Sequence, residues 1–131
     1  MKKIAAIDVG LKRVGIALYL NGIVLPQDAI IRKNRIQASR DLRNFLDEWD
    51  IDILVVGIPK GGSSEEEMKR RIEHFVSLID FDKEIFYQDE SFSSLEAKEF
   101  FKGEIKQKRD GRIDSLAAKI ILERWLSKNS I

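Results

Sequence analysis

The opening of the chain decides the fold: residues 3–18 read KIAAIDVGLKRVGIAL. The apolar run over residues 4–7 ends in Asp8, which predicts a buried strand with an acid at its carboxyl end. Residues 10–13 form a tight connection, and from residue 14 to residue 18 apolar side chains recur with the two-residue period of a second strand. The chain is therefore expected to begin with two adjacent strands joined by a short turn.

The rest of the sequence extends this sheet and then covers it with helices. Asn21 and Gly22 both tolerate positive φ, so they predict a hairpin into a third strand from Ile23 to Leu25, resuming near Ile30. The following elements are predicted from periodicity and capping signals: a helix over 38–49 with Trp49 on its apolar face, a strand over 51–57, a helix to 79, a strand over 84–87, a helix from 93 to about 102 and a helix from about 112 to 128. This order predicts an α/β fold, a mixed five-stranded sheet with helices on both faces.

Composition restricts the function classes. The 131 residues suit one domain over 1–131, and the net charge of +1 is neutral with respect to nucleic acid. The absence of cysteine excludes disulfides and thiolate metal sites, and the single histidine, His74, excludes a histidine-rich zinc site. No run approaches the roughly 20 apolar residues of a membrane span, and Asp8 interrupts any signal-peptide core. We therefore expect a cytoplasmic protein with no membrane partner.

Three acids stand where solvated acids are not expected. Asp8 ends an apolar strand, Glu90 follows another strand, and Asp114 shares a helical face with Ala117, Ala118, Ile121 and Trp125. An unpaired carboxylate on such a face is costly, so it is expected to be paired, hydrogen-bonded or bound to a metal. If the first and fourth strands are neighbours, Asp8 and Glu90 emerge at one edge, and the small alanines bring Asp114 towards them. Oxygen ligands of this kind suit Mg²⁺ or Mn²⁺, which can activate water against a phosphodiester.

Each acid also has an ordinary explanation. Asp8 could end a strand or start a turn, and Glu90 could be a solvated loop acid. Asp114 could be favoured at a helix amino terminus by the macrodipole. The joint occurrence of the three acids in this topology favours a site.

Cations near these acids are candidate nucleic-acid contacts. Lys12 and Arg13 lie between the first two strands, and Lys60 lies in a glycine-rich loop before a helix start. Lys106, Lys108, Arg109 and Arg112 form a basic patch before Asp114, which together with Arg32, Lys33 and Arg35 could follow a nucleic-acid backbone. A solvated surface is the simpler explanation for each run taken alone. Neither glycine-rich loop matches a Walker A or dinucleotide-binding motif.

Four segments together resemble a known family. They are AIDVGLKRVGIA at 6–17, VVGIP at 55–59, DESFSSLEA at 89–97 and IDSLAAKIIL at 113–122. In this order and spacing, over nearly the whole chain, they are similar to the YqgF/RuvX family. The resemblance implies an RNase H-like fold, related to that of RuvC Holliday junction resolvases.

The resemblance also implies a function. It implies a hydrolase, a metal-dependent nuclease that matures the 5′ end of 16S rRNA, with the rRNA precursor or a pre-ribosomal particle as partner. It further implies that Asp8, Glu90 and Asp114 are the catalytic, metal-binding acids and that Arg13 lies near the substrate phosphate.

Two departures from the family pattern bear on this expectation. Ser91 stands where the family usually has Arg, which removes a guanidinium that could clamp phosphate. Resolvase-like sites often carry a further acid one turn beyond the last-helix Asp, but here Ala117 and Ala118 stand there. The number of metal ions and the role of Asp89 therefore stay open.

Other functions remain as alternatives. A Holliday junction resolvase acting on DNA would need a dimer, and the sequence leaves monomer and homodimer open. A non-catalytic RNA-binding assembly factor would keep the acids without using them. Half of a sugar-kinase or actin-like ATPase shares the sheet topology, but such enzymes close two domains around nucleotide.

Overall fold

A computed structural model describes residues 2–60, 65–90 and 112–129. The strands are β1 Ile4–Val9, β2 Arg13–Leu20, β3 Ile23–Ile31, β4 Ile53–Ile58 and β5 Glu84–Asp89; the helices are α1 Arg35–Glu48, α2 Glu65–Ile79 and α3 Arg112–Lys128. The predicted helix from residue 93 to about 102 lies outside the described residues. Among the described helices, none has the length and apolar content needed to cross a membrane.

The five strands form one mixed sheet in the order β3-β2-β1-β4-β5. β2 pairs with β1 and β3 in antiparallel fashion, whereas β4 runs parallel to β1 and β5. The predicted mixed five-stranded sheet is confirmed. β1 and β4 are neighbours, as convergence of the acids requires, and the carboxyl ends of β1, β4 and β5 meet at one edge.

The hairpin between β2 and β3 forms at the predicted turn. Asn21 and Gly22 both have positive φ, 51° and 82°, which matches the twist of the flanking strands. β3 continues without the predicted break, and its register shifts opposite β2: Val14 faces Ile30, but Ile16 faces Gln27. The extra residue in β3 is a bulge, which interrupts the regular pairing of β2 beside the carboxyl end of β1.

The two faces of the sheet carry separate cores. Ile7, Val9 and Leu54 point to the face covered by α1 and α2, and Ala6 and Val55 point to the face covered by α3. Because side chains alternate along β1, Asp8 points to the α3 face. The sheet is therefore covered by helices on both faces, as predicted.

α1 starts and ends at identifiable caps. The Asn34 side chain accepts from the Gln37 amide at 2.7 Å, and the Gln37 side chain accepts from the Asn34 amide at 3.4 Å, which completes a capping box. At the other end, the sequence predicts Trp49 in the core, and this is wrong, because its side chain is 37% exposed. Trp49 is the C-cap residue, so it has left the apolar stripe, and its ring centroid lies 6.3 Å from that of Phe45.

Candidate functional site

Asp8 and Glu90 form the centre of the candidate site. Asp8 is the penultimate residue of β1, is partly buried, and is hydrogen-bonded to the Glu90 side chain. Burial raises the pKa of Asp8 well above its usual value; the hydrogen bond and the charges of Glu90 and Asp114 raise it further. The three acids thus lie close enough for their charges to interact, and two of them are in direct contact.

Glu90 reaches Asp8 across an intervening strand. β4 separates β5 from β1, and the Glu90 amide donates to the Ile58 carbonyl of β4 at 2.9 Å. The neighbouring β4 residue is Gly57, where a Cβ would lie 3.0 Å from Glu90 Oε2 and 3.2 Å from Glu90 Cβ. The Glu90 side chain therefore passes over a strand position that has no side chain of its own.

Asp114 is brought to the site by close packing of α3 on β2. Gly15 is paired with Asp8 across the β1–β2 ladder, and a Cβ on Gly15 would lie 2.1 Å from the Asp114 carbonyl oxygen. Next to it, the Ile16 amide donates to Ser115 Oγ at 3.3 Å, at the point where the β3 bulge disturbs strand pairing. The first turn of α3 thus rests on the backbone of β2, directly beside the β1 position that carries Asp8.

The predicted small residues of α3 support this approach. Ala117 and Ala118 are both completely buried, and Ile121 and Trp125 continue the same face into the core on this side of the sheet. Asp114 itself is partly buried in the first turn. The predicted shared face of α3 is therefore confirmed.

The chemistry of the side chains at this site fits a hard divalent cation. The polar side-chain atoms of Asp8, Glu90 and Asp114 are all carboxylate oxygens, the ligands of Mg²⁺ and Mn²⁺. A partly buried Asp8 beside two further acids is unfavourable as an anion until a positive charge balances it. In residues 2–60, 65–90 and 112–129, however, no three His, Cys, Asp or Glu side chains meet the geometry for holding a metal ion. Asp8 and Glu90 share a hydrogen bond instead.

The predicted cations lie around the same edge of the sheet. Lys12 is exposed and Arg13 partly buried, in and directly after the β1–β2 connection; Lys60 is exposed just past β4, and Arg112 is exposed at the start of α3. Lys108 and Arg109, together with Lys106 and Ser91, lie outside the described residues. The strand ends and the start of α3 thus bring the described cations to the same edge of the sheet as the acids.

Asp89 holds a structural position near the site. It is the last residue of β5, opposite Ile58 of β4, and its carbonyl accepts from Arg124 Nη1 of α3 at 3.3 Å. This hydrogen bond joins β5 to α3.

Two glycines and a serine, none of them predicted as a site residue, also shape the site. Gly15 follows the glycine-containing connection after β1, but it lies inside β2. Gly57 lies inside β4, and Ser115 is 2% exposed. A glycine in a strand interior is a signal for close approach of another backbone or side chain, and both glycines carry that signal in the sequence.

Comparison with known proteins places the chain in a family. The model of the family described as "RuvX: Holliday junction resolvase" matches residues 2–128. A protein of Sulfurovum sp. (strain NBC37-1), named "Putative pre-16S rRNA nuclease", is 64% identical over 126 residues, covering 95% of this chain and 98% of that one. A protein of Sulfurimonas denitrificans with the same name is 58% identical over 125 residues, covering 95% of this chain and 96% of that one.

Solved structures share the fold at low sequence identity. RuvC of T. thermophilus, in complex with a Holliday junction substrate, has a TM-score of 0.59 at 8% identity, covering 99% of this chain and 98% of that one. The Holliday junction resolvase of fowlpox virus has a TM-score of 0.58 at 13% identity, covering 97% and 99%. The fold is therefore the RNase H-like fold of the RuvC-type resolvases. With its family model matched from residue 2 to residue 128 and relatives above 50% identity, the chain belongs to the RuvX (YqgF) family.

Proposed function

We propose that this chain is a metal-dependent nuclease that hydrolyses phosphodiester bonds of the 16S rRNA precursor during 5′-end maturation, in the cytoplasm, with residues 1–131 as one nuclease domain. The observation that carries the proposal is that Asp8 and Glu90 are hydrogen-bonded at one edge of the sheet, close enough to Asp114 for its charge to act on Asp8. The name of the relatives supports the rRNA precursor as substrate. The fold supports hydrolytic cleavage of a nucleic acid.

The three acids would hold Mg²⁺ or Mn²⁺, and the ion when bound would polarise the phosphodiester and make water a better nucleophile. The reaction is a hydrolysis: the water oxygen forms a bond to phosphorus, the bond from phosphorus to the leaving oxygen breaks, and that oxygen gains a proton. The hydrogen bond between Asp8 and Glu90 orients both carboxyls towards the same point. Closing a metal site would replace this hydrogen bond and draw in the carboxylate of Asp114.

The cations have the complementary role of binding substrate. Lys12 and Arg13 follow Asp8 in the chain, and Arg112 lies shortly before Asp114. We assign to each of them a contact with a phosphate that flanks the scissile bond, and we assign the same role to Lys60, Lys108 and Arg109. Such contacts position the strand without reading its sequence, so they suit RNA or DNA alike.

The test is cleavage of a 5′-extended 16S rRNA precursor in Mg²⁺ or Mn²⁺ by the protein and by Asp8→Asn and Asp114→Asn. Asp82→Asn is the matched control, because Asp82 is an exposed acid between α2 and β5, at the opposite end of β5 from Glu90. Metal-dependent cleavage that is lost in the first two variants and kept in the control would support the proposal. Equal cleavage by all variants would contradict the assigned acids.

A Holliday junction resolvase is the second candidate, because the family description and the fold neighbours both point to that activity. A four-way DNA junction in the same assay separates the two. Cleavage of the junction with the precursor left intact would replace the RNA proposal. RNA bound equally by all variants, with neither substrate cut, would instead indicate a non-catalytic assembly factor.

A further inference from the structure

A basic cavity lies on the sheet face opposite the three acids. Its volume is about 420 Å³, and it opens between the β1–β2 connection and α2. Four arginines contribute to its lining: Arg32, Arg35, Arg70 and Arg71. One acid, Glu67, and one histidine, His74, also line it. The arginines thus form a positively charged surface apart from the centre built around Asp8.

Arg32 is held in place before any ligand arrives. Its Nη1 donates to the Gly10 carbonyl at 2.8 Å, and its guanidinium carbon lies 5.2 Å from the centroid of the Phe75 ring. Its backbone amide donates to the Lys12 carbonyl at 2.9 Å. Since a guanidinium has five N–H donors, the bond to Gly10 leaves further donors for a ligand, and little side-chain freedom remains to be lost.

The positive charge of the cavity is not balanced by its own acid. Glu67 is paired with Arg71 at 2.7 Å, one helical turn away. Within the described residues, Arg35 and Arg70 form no ion pair. Burial lowers the pKa of Arg32, and the charge of Arg35 lowers it further, because the two guanidinium groups repel each other. Three arginines therefore surround a cavity that an anion would stabilise.

Some residues that line the cavity directly follow Asp8 in sequence, although the cavity lies on the other face of the sheet. Asp8 and Val9 are consecutive in β1, so their side chains point to opposite faces. Val9 and Gly10 line the cavity, and the Gly10 carbonyl is the anchor of Arg32. A strand leaving the acids around the end of β1 would cross the exposed side chain of Leu11, which also lines the cavity, and would meet the arginines.

We propose that this cavity is a subsite for phosphate groups of the nucleic-acid strand that continues beyond the scissile bond, and that Arg32, Arg35 and Arg70 bind them. This inference rests on the proposed nuclease function and adds a substrate contact on the α1–α2 face of the sheet. Leu11 and Met68 offer apolar surface to a sugar or base of the same strand. Free nucleotides and inorganic phosphate also carry the phosphate group that the arginines would bind, so the experiment tests these ligands separately from RNA.

The experiment measures RNA affinity apart from cleavage. A fluorescent single-stranded fragment of the 16S precursor is titrated in EDTA, over a series of salt concentrations, with the protein and with the double variant Arg35→Gln/Arg70→Gln. The control is Arg40→Gln/Lys69→Gln, which removes the same charge from exposed positions of the same two helices outside the cavity lining. Cleavage of the full precursor in Mg²⁺ is measured in parallel, and inorganic phosphate and a nucleoside monophosphate are titrated separately.

We expect the cavity variant to weaken RNA binding by at least about tenfold, because charged hydrogen bonds to phosphate are replaced by water. The slope of log affinity against log salt should fall in magnitude by about 1.4, since each phosphate of a single strand that is no longer neutralised reduces it by about 0.7. The control variant should change neither quantity by a comparable amount, because its charges are outside the cavity.

The outcomes separate this subsite from the nuclease proposal. If the unmodified protein cleaves the precursor but cavity and control variants bind RNA with the same affinity and slope, the subsite is wrong and the nuclease proposal stands. If nothing is cleaved but the cavity variant alone loses RNA binding, the nuclease proposal fails and the subsite stands as an RNA-binding site. Binding of phosphate or nucleotide that depends on Arg35 and Arg70, with RNA affinity unchanged, would overturn the nucleic-acid assignment in favour of a small-anion site.

Discussion

Gly15 lies against the Asp114 carbonyl so closely that a Cβ on Gly15 would come within 2.1 Å of that oxygen. Gly15 is also the partner of Asp8 in the β1–β2 ladder. The absence of one side chain therefore lets an acid from the end of the chain approach an acid from its beginning. A Cβ on Gly15 would collide with backbone atoms of Asp114 and Ser115, which cannot rotate away as a side chain can.

We expect Gly15→Ala to lower activity through displacement of α3. The added methyl group must push the first turn of the helix away from β2, at a cost of about 1–3 kcal/mol in the free energy of unfolding, as for other overpacked cores. Precursor cleavage should fall more than RNA binding does, because the Asp114 carboxylate moves while the cations of the β1–β2 connection stay in place. Denaturant unfolding and a cleavage assay measure the two effects.

Ser115→Ala is the comparison for that variant, since it removes the acceptor of the Ile16 amide without adding an atom. It should lower the free energy of unfolding by about 1–3 kcal/mol, the cost of a buried unsatisfied amide, and keep more activity than Gly15→Ala. Full activity of Gly15→Ala would show that close approach of α3 is unnecessary.

Gly57→Ala should separate stability from activity. A Cβ at Gly57 would lie 2.4 Å from Ile121 Cδ1 and 3.0 Å from Glu90 Oε2. Ile121→Val removes the first of these atoms, so the double variant Gly57→Ala/Ile121→Val should recover stability relative to Gly57→Ala. It should not recover cleavage, because the Glu90 side chain is still pushed from its path across β4. Thermal unfolding and cleavage of the two variants, with Ile121→Val alone as reference, give the answer; recovery of both properties together would refute the role of Gly57 in placing Glu90.

Asp8→Asn should stabilise the metal-free protein while abolishing cleavage. Burial, the hydrogen bond to Glu90 and the neighbouring acids raise the pKa of Asp8 in the folded state. Because the pKa of Asp8 is raised in the folded state, its protonated form contributes to the free energy of unfolding. This contribution is complete at pH values below the pKa of the unfolded chain, near 3.8, and it is lost as pH rises through the pKa of the folded state. In EDTA, the unfolding temperature of Asp8→Asn should exceed that of the unmodified protein at pH 8, and the difference should shrink towards pH 4. An equal difference at both pH values would contradict an Asp8 that ionises at a raised pKa.

Divalent ions should reverse the order of these unfolding temperatures, so that the unmodified protein becomes more stable than Asp8→Asn. We expect Mn²⁺ or Mg²⁺ to stabilise the unmodified protein by about 2.7 kcal/mol at a concentration 100 times its Kd, since an ion that binds the folded state alone shifts unfolding by mass action. Glu90→Gln and Asp114→Asn should each lose most of this stabilisation. Each should also reduce cleavage by more than about 100-fold, which exceeds the loss typical of replacing a residue that only hydrogen-bonds to a metal ligand. Thermal unfolding with and without ion measures the first effect directly. The Asp82→Asn variant should respond to the ion as the unmodified protein does; an ion response that all these proteins share would place the ion elsewhere.

Local sequence patterns are sufficient to predict most of the helices and strands and to single out the three acids as site candidates. Alternation after Val14, the Asn21-Gly22 turn and the helical stripes predicted strands, hairpin and helices, because these patterns arise from interactions between near neighbours in the chain. The apolar setting of Asp8 and Asp114 indicated a site because a carboxylate in such a place needs a partner. Convergence of Asp8 and Glu90 requires β1 to lie beside β4, and the sheet has this strand order.

The contacts between distant segments of the chain are seen only in the folded structure. The path of Glu90 over Gly57, the contact of Gly15 with Asp114 and the cavity shared by Arg32 and Arg70 each join segments far apart in the sequence. No local pattern encodes such pairs, because they depend on the stacking of α3 on one face and of α1 and α2 on the other. Periodicity predicts which face of the sheet or helix a residue occupies. How closely two elements approach each other depends also on where a side chain is missing between them, as at Gly15 and Gly57.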